Sequence, residues 1–166
     1  DAGCGGGRNL VYLLRGGWDV HGVDANPAAI DEVRALAASL APALPSSNFQ
    51  VAPVEDTGLP DAFAEVVLCS AVLHFARDHA QFDAMLCEMW RVLRPGGLLF
   101  CRLASTIGME ARVVARGGGR YHVPDGTERY LVDDATMLDR TATLGGQLLD
   151  PLKTTIVQDQ RSMTTW

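Results

Sequence analysis

The 166-residue sequence predicts a single α/β domain built on a mostly parallel sheet. Three observations carry this. A glycine-rich stretch, Asp1 to Asn9, runs into a helical segment and then into an apolar run closed by Asp24. A nearly continuous apolar run, Phe63 to Ser70, is followed by apolar positions at helical spacing from Phe82 to Leu93. Two strand-like runs separated by Gln158-Asp159-Gln160 end the chain as a hairpin.

In the opening loop, Gly3, Gly5 and Gly7 let the backbone turn sharply and approach a bound molecule closely. Asp1 stands at a strand edge, aimed at a donor or a positive charge. Arg8 to Arg15 reads as a helix whose first free amides face the loop, stopped by Gly16-Gly17. Trp18 to Asp24 reads as a strand, and an acid about twenty residues beyond such glycines is where nucleotide-binding βαβ units hold a ribose diol.

Asn26 caps the next helix and Pro27 occupies its first position, where a missing amide costs nothing. Ile30, Val33, Ala37 and Leu40 share the face turned to the sheet, and Pro42 and Pro45 end the helix. Asn48 to Ala52 alternates as a short strand. Phe63 to Ser70 is patterned for a strand buried on both faces, with Ser70 to Phe75 at the mouth of a site beyond its carboxyl end. The helix of His79 to Leu93 is broken by Arg94-Pro95-Gly96-Gly97, which turns the chain into a strand from Leu98 to Leu103.

From Ser105 to Tyr130 the pattern loosens into turn signals, Gly117-Gly118-Gly119 and Pro124-Asp125-Gly126. Loose segments beyond a strand tip build substrate pockets, so Tyr121, His122, Arg129 and Tyr130 are candidate pocket residues, although each taken alone reads more readily as ordinary surface. Asp133 caps a last helix to about Leu144, stopped by Gly145-Gly146. The closing strands fall near Gln147 to Val157 and Arg161 to Trp166.

Composition narrows the function. A net charge of −6 and a pI near 5.1 argue against a sequence-independent grip on nucleic acid. Cys4, Cys69, Cys87 and Cys101 lack zinc-ribbon spacing and read as reduced thiols of a cytosolic protein, with Cys4 a small space-filler in the loop. No apolar run reaches membrane-spanning length. His74 and His79 lack a third ligand at a recognisable spacing, so no metal is expected.

Asp1-Ala2-Gly3-Cys4-Gly5-Gly6-Gly7, Asp24 after the second strand, and Leu93-Arg94-Pro95-Gly96-Gly97-Leu98 together resemble the Rossmann-like, class I S-adenosylmethionine-dependent methyltransferases. The loop continuing through Arg8-Asn9, with Tyr12-Leu13 after it, is similar to the tellurite-resistance-type small-molecule branch. The resemblance covers nearly the whole chain for the family and the first quarter for the branch.

It implies a doubly wound, mostly parallel sheet with a C-terminal antiparallel hairpin, in one domain spanning 1–166, with 105–131 as a substrate-side insertion. It also implies that most of the first, central strand is missing ahead of Asp1, so that the chain is a fragment. The implied cofactor is S-adenosylmethionine, with Gly3 and Gly5 admitting its amino-acid part and Asp1 favouring its positive end. Asp24, with Ala25 beside it, holds the ribose; Val54 and Glu55 edge the adenine, where Pro53 stands in place of the usual acid; Ser70 adds backbone contact.

Methyl transfer from a sulfonium is an in-line displacement that needs positioning more than hard chemistry. His74 is the candidate base for a protonated acceptor, or else a histidine satisfied at a helix start. Arg102 attracts an anionic acceptor or forms a salt bridge at its strand end, and Tyr121 and Arg129 are further acceptor candidates. The expected partner is a small-molecule methyl acceptor. Two other functions fit the loop: a nicotinamide-dependent oxidoreductase, which requires a close-packed third glycine where Arg8 stands, and a non-catalytic subunit that keeps the cofactor fold.

Overall fold

The computed structural model describes residues 1–166. A short helix α1 (Val11–Arg15) leads to strand β1 (Gly22–Asp24), helix α2 (Pro27–Leu40) and strand β2 (Phe49–Val51). Strand β3 (Ala64–Ser70), helix α3 (His79–Val92) and the long strand β4 (Leu93–Ser105) follow. Three short strands β5 (Val114–Gly117), β6 (Arg120–His122) and β7 (Glu128–Tyr130) come next, then helix α4 (Asp134–Thr143) and the hairpin β8 (Lys153–Val157) and β9 (Arg161–Thr165).

The principal sheet has the order β3-β4-β9-β8. β3 and β4 are parallel, with Ser70 opposite Arg102, and β9 runs antiparallel to both β4 and β8. Gln158 and Asp159, both at positive φ (52° and 57°), close the terminal hairpin at the position the sequence marks. β1 and β2 pair parallel in a separate section. The opening residues lie between the sections: Ala2 bridges Val23 of β1, and its amide donates to the Leu68 carbonyl of β3 at 2.7 Å. Elsewhere β1 and β3 are separated by a cavity of about 660 Å³, lined by apolar side chains including Trp18, Val23, Phe63, Val66 and Met89.

Helix caps form where the sequence places them. The Asn26 side chain accepts the Ala28 amide at 3.1 Å, and Asp133 accepts that of Thr136 at 2.8 Å. Ile30, Val33 and Ala37 of α2 are buried with Leu10, Leu14 and Phe49 in one core. Phe82, Met85, Leu86 and Met89 of α3 form the larger core with Cys69, Cys101, Leu103 and Met137 of α4. The ion pair from Arg140 to Asp83, 2.8 Å, ties α4 to α3.

Three expectations are corrected. The helix expected from Arg8 starts only at Val11, because the Gly7 amide bonds Cys4 at 3.0 Å and the Leu10 amide bonds Gly7 at 2.9 Å. These turns use amides that a longer helix would have pointed at the loop. β3 is not buried on both faces: Val67 and Cys69 are buried, but Val66 is 48% exposed, because it lines the cavity between β1 and β3. The segment 105–131, read as loose, contains the antiparallel sheet β5-β6-β7. Its strands are three or four residues long, too short for alternation to register in sequence.

Candidate active site

The carboxyl ends of β1 and β3 and the glycine loop enclose a cavity of about 540 Å³, within the usual range of small-molecule sites. Gly3, Gly5, Asp24, Ala25 and Ser70, five of the residues the sequence singles out, line it together. Cys4, Gly6, Arg8, Asn9, Ala71, Val72 and Phe75 complete the wall.

Asp24 is held in place by backbone amides. One oxygen accepts from Gly5 and the other from Asn26, each at 2.9 Å. No cation lies within ion-pair distance of it. Each carboxylate oxygen therefore keeps acceptor capacity, which a vicinal diol can use. The carboxylate also tethers the loop to β1, so the cofactor-facing loop and the ribose acid are one unit.

The glycines act differently from one another. Gly5, at φ +51°, has open space where a side chain would stand, which keeps the cavity clear. Gly3, at φ +76°, is tightly packed: a Cβ there would lie 2.4 Å from Val72. Gly7 is the close-packing glycine of the loop, since a Cβ would lie 2.7 Å from Val33 and 2.9 Å from Leu36 of α2. Arg8, where a dinucleotide fingerprint would carry that glycine, is exposed. Cys4 is buried, and burial pushes its thiol up to about 11, so it packs rather than reacts.

Other sequence candidates lie outside the cavity wall. Both Asp1 carboxylate oxygens are buried without a hydrogen-bond partner, an arrangement suited to an acid that meets a donor or a positive charge. Val54 belongs to the larger core, and Glu55 accepts from Gln81 of α3 at 2.7 Å. Tyr121 and Arg129 pair across β6 and β7, and Arg102 lies in β4 opposite Ser70, the last residue of β3.

His74 sits in a single 3₁₀ turn, Leu73–Phe75, that carries the chain out of β3. Its Nδ1 accepts the Ala104 amide at 3.2 Å, which places the proton of the neutral ring on Nε2. Burial, and then the charges of Arg129, Arg161 and Arg102, lower its pKa to about 4. A neutral ring whose lone pair is already engaged is a poor general base. The neighbouring His79 is bonded through Nδ1 to the Tyr130 hydroxyl at 2.8 Å, and Tyr130 stacks on Phe82.

Phe75, which the sequence places only within the stretch at the mouth of the site, lines the cavity although 57% exposed, and sequence reasoning missed the Arg129 guanidinium 4.8 Å from its ring centroid. Only the docking of β7 on the 3₁₀ turn joins them. It also missed the φ of +65° at Ala71, which turns the chain along the cavity wall. A non-glycine residue at such a φ leaves no mark in the sequence.

The family model for the methyltransferase domain matches residues 1–101. The chain belongs to the class I S-adenosylmethionine-dependent methyltransferase family. A methyltransferase of Synechocystis sp. is 31% identical over 98 residues, covering 59% of this chain and 42% of the relative. The malonyl-[acyl-carrier protein] O-methyltransferase of Serratia marcescens is 32% identical over 106 residues, covering 63% of this chain and 38% of the relative. The chain thus spans about two fifths of the length of these relatives.

Likeness of fold extends further along the chain. An S-adenosylmethionine-dependent methyltransferase from Methanosarcina mazei superposes with a TM-score of 0.70 at 18% identity, over 98% of this chain and 87% of that one. The Burkholderia thailandensis 1,6-didemethyltoxoflavin-N1-methyltransferase, solved with 1,6-didemethyltoxoflavin and S-adenosylhomocysteine, gives 0.68 at 19% identity, over 99% and 67%. The Rossmann-like, doubly wound fold class expected from the sequence is borne out, including its antiparallel hairpin. No helix is long and apolar enough to cross a membrane.

Proposed function

We propose that the protein transfers a methyl group from S-adenosylmethionine to a small-molecule acceptor, with Asp24 and the glycine loop binding the cofactor and the 3₁₀ turn with β5-β6-β7 forming the acceptor side. The observation that carries this reading is the amide-held Asp24 carboxylate beside a cavity kept open by Gly5. When bound, the sulfonium supplies both the methyl group and its own leaving group.

The chain's residues position and enclose. Asp24 accepts the ribose hydroxyls, with Ala25 and the backbone of Ser70 along the same wall. Gly5 leaves room for the amino-acid end, and the buried, partnerless Asp1 carboxylate favours a positive charge behind the loop. Gly3 shapes the loop by packing on Val72. Val54 and Glu55 shape the adenine end indirectly, Glu55 through its bond to Gln81. The neutral His74 serves as a strut between the 3₁₀ turn and β4, so an acceptor proton leaves to solvent or is absent at the start.

A net charge of −6 supports a small acceptor over nucleic acid. Four free thiols, including Cys69 and Cys101 paired in register on adjacent strands, support a reducing, cytoplasmic setting. Calorimetric titration tests the cofactor: S-adenosylhomocysteine binds and NAD does not. Binding of NAD alone would refute the reading. Labelled methyl transfer to small molecules of a cell extract tests turnover, and persistent silence from a chain that binds S-adenosylhomocysteine would favour a non-catalytic subunit.

A further inference from the structure

The arginines of this acidic chain fall into three groups. Most hold a carboxylate: Arg34, Arg91, Arg94, Arg112, Arg116, Arg120, Arg140 and Arg161 all lie within 4.0 Å of an Asp or Glu oxygen. Arg8, Arg15 and Arg77 have no such partner and are exposed, where water satisfies them. Arg102 and Arg129 are half-buried and have no carboxylate.

Both stand at the acceptor side. Arg129 lies over Phe75, which lines the cavity, and its one hydrogen bond goes to the Glu128 carbonyl at 3.1 Å. Arg102 pairs in register with Ser70, another wall residue, and its carbonyl accepts from Ala71 at 2.7 Å. Asp125, on which the charge of Arg129 also acts, is already engaged, bonded to the Thr127 amide at 2.9 Å and paired with Arg161 at 3.8 Å. The charges of Arg129, Arg161 and Arg102 all act on His74, in the turn that carries Phe75. A partly desolvated guanidinium without an anion is costly, and its planar donor fork matches an oxyanion.

We propose that Arg129 and Arg102 form an oxyanion subsite for the acceptor, so that the methylated molecule carries a carboxylate or phosphate docked beside the face of Phe75. This deepens the methyltransferase reading and rests on it. The acceptor is held by its anionic end, and its reactive atom is turned towards the cavity.

The test uses the full chain saturated with S-adenosylhomocysteine, and three probes of one shape: benzoate, phenyl phosphate and benzamide, followed by ligand-observed NMR titration. At least one anion binds ten or more times more tightly than neutral benzamide, and which anion binds identifies the source of the charge. Arg129→Gln and Arg102→Gln each weaken that anion at least tenfold, Arg129→Lys retains part of the affinity, and Arg15→Gln, on exposed α1, leaves it unchanged. Equal binding of benzamide, absence of anion binding to a chain that holds S-adenosylhomocysteine, or indifference to both glutamine substitutions overturns the subsite. Failure of the wild-type chain to bind S-adenosylhomocysteine strikes instead at the cofactor reading.

Discussion

Replacing Asp24 with alanine removes two kinds of interaction at once. The carboxylate accepts the Gly5 and Asn26 amides, both at 2.9 Å, and those bonds pin the cofactor loop to β1. Hydrogen bonds to a charged group are worth about 1.5–3 kcal/mol each when desolvated, and Asp24 is only half-buried, so each falls toward the lower figure. Losing the ribose contacts together with part of the loop order weakens S-adenosylhomocysteine by about 1–3 kcal/mol, roughly 5- to 150-fold. Asp24→Asn, which keeps one acceptor oxygen, falls in the lower half of that range. Isothermal titration at 25 °C measures both, and thermal melting of the free protein separates loss of binding from loss of fold. An Asp24→Ala protein that melts like wild type and binds within twofold of it would refute the assignment of the ribose to this acid.

Other outcomes follow from the same geometry. Gly5→Ala meets only the left-handed backbone penalty, about 1–2 kcal/mol, whereas Gly3→Ala adds a clash with Val72 and costs more; chemical denaturation ranks them, and Val72→Ala recovers part of the Gly3→Ala loss. His74→Asn keeps methyl transfer within about tenfold of wild type, since a general base would cost about 10²–10⁴-fold; a loss in that range returns His74 to the reaction. The folded-state pKa of His74, about 4, lies below its unfolded value of 6.5, so between those pH values the unfolded chain binds the proton and the folded one does not. Stability is therefore lost as pH is lowered from about 6.5 to about 4, by roughly 3 kcal/mol at most, and over that descent the denaturant midpoints of His74→Asn drop less steeply than those of wild type. Phe82→Ala, in the centre of the larger core, costs about 3–5 kcal/mol by the same measurement.

What the sequence made legible was local chemistry. Asn26-Pro27 and Asp133 announce helix starts because capping needs only neighbours within three residues. The glycine loop and Asp24 announce the cofactor side because tight turns and a strand-ending acid are set by the residues themselves. The acceptor side was not legible in the same way. Arg129 meets Phe75, and His79 meets Tyr130, only after β7 docks on the 3₁₀ turn, and nothing in either segment names the other. The open face at Val66 was misread because an apolar run shows what could be buried, while burial depends on whether another element arrives. His74 looked well placed for a base, but its character is set by the Ala104 amide and by arginines brought in from β4, β7 and β9.

The most direct measurement is a crystal structure of the chain with S-adenosylhomocysteine. The account predicts the ribose hydroxyls within hydrogen-bonding distance of the Asp24 carboxylate, the amino-acid end beside Gly5, and the sulfur open toward Phe75. A ligand bound elsewhere, or an Asp24 carboxylate still facing only its two amides while the ribose rests on other groups, would contradict it.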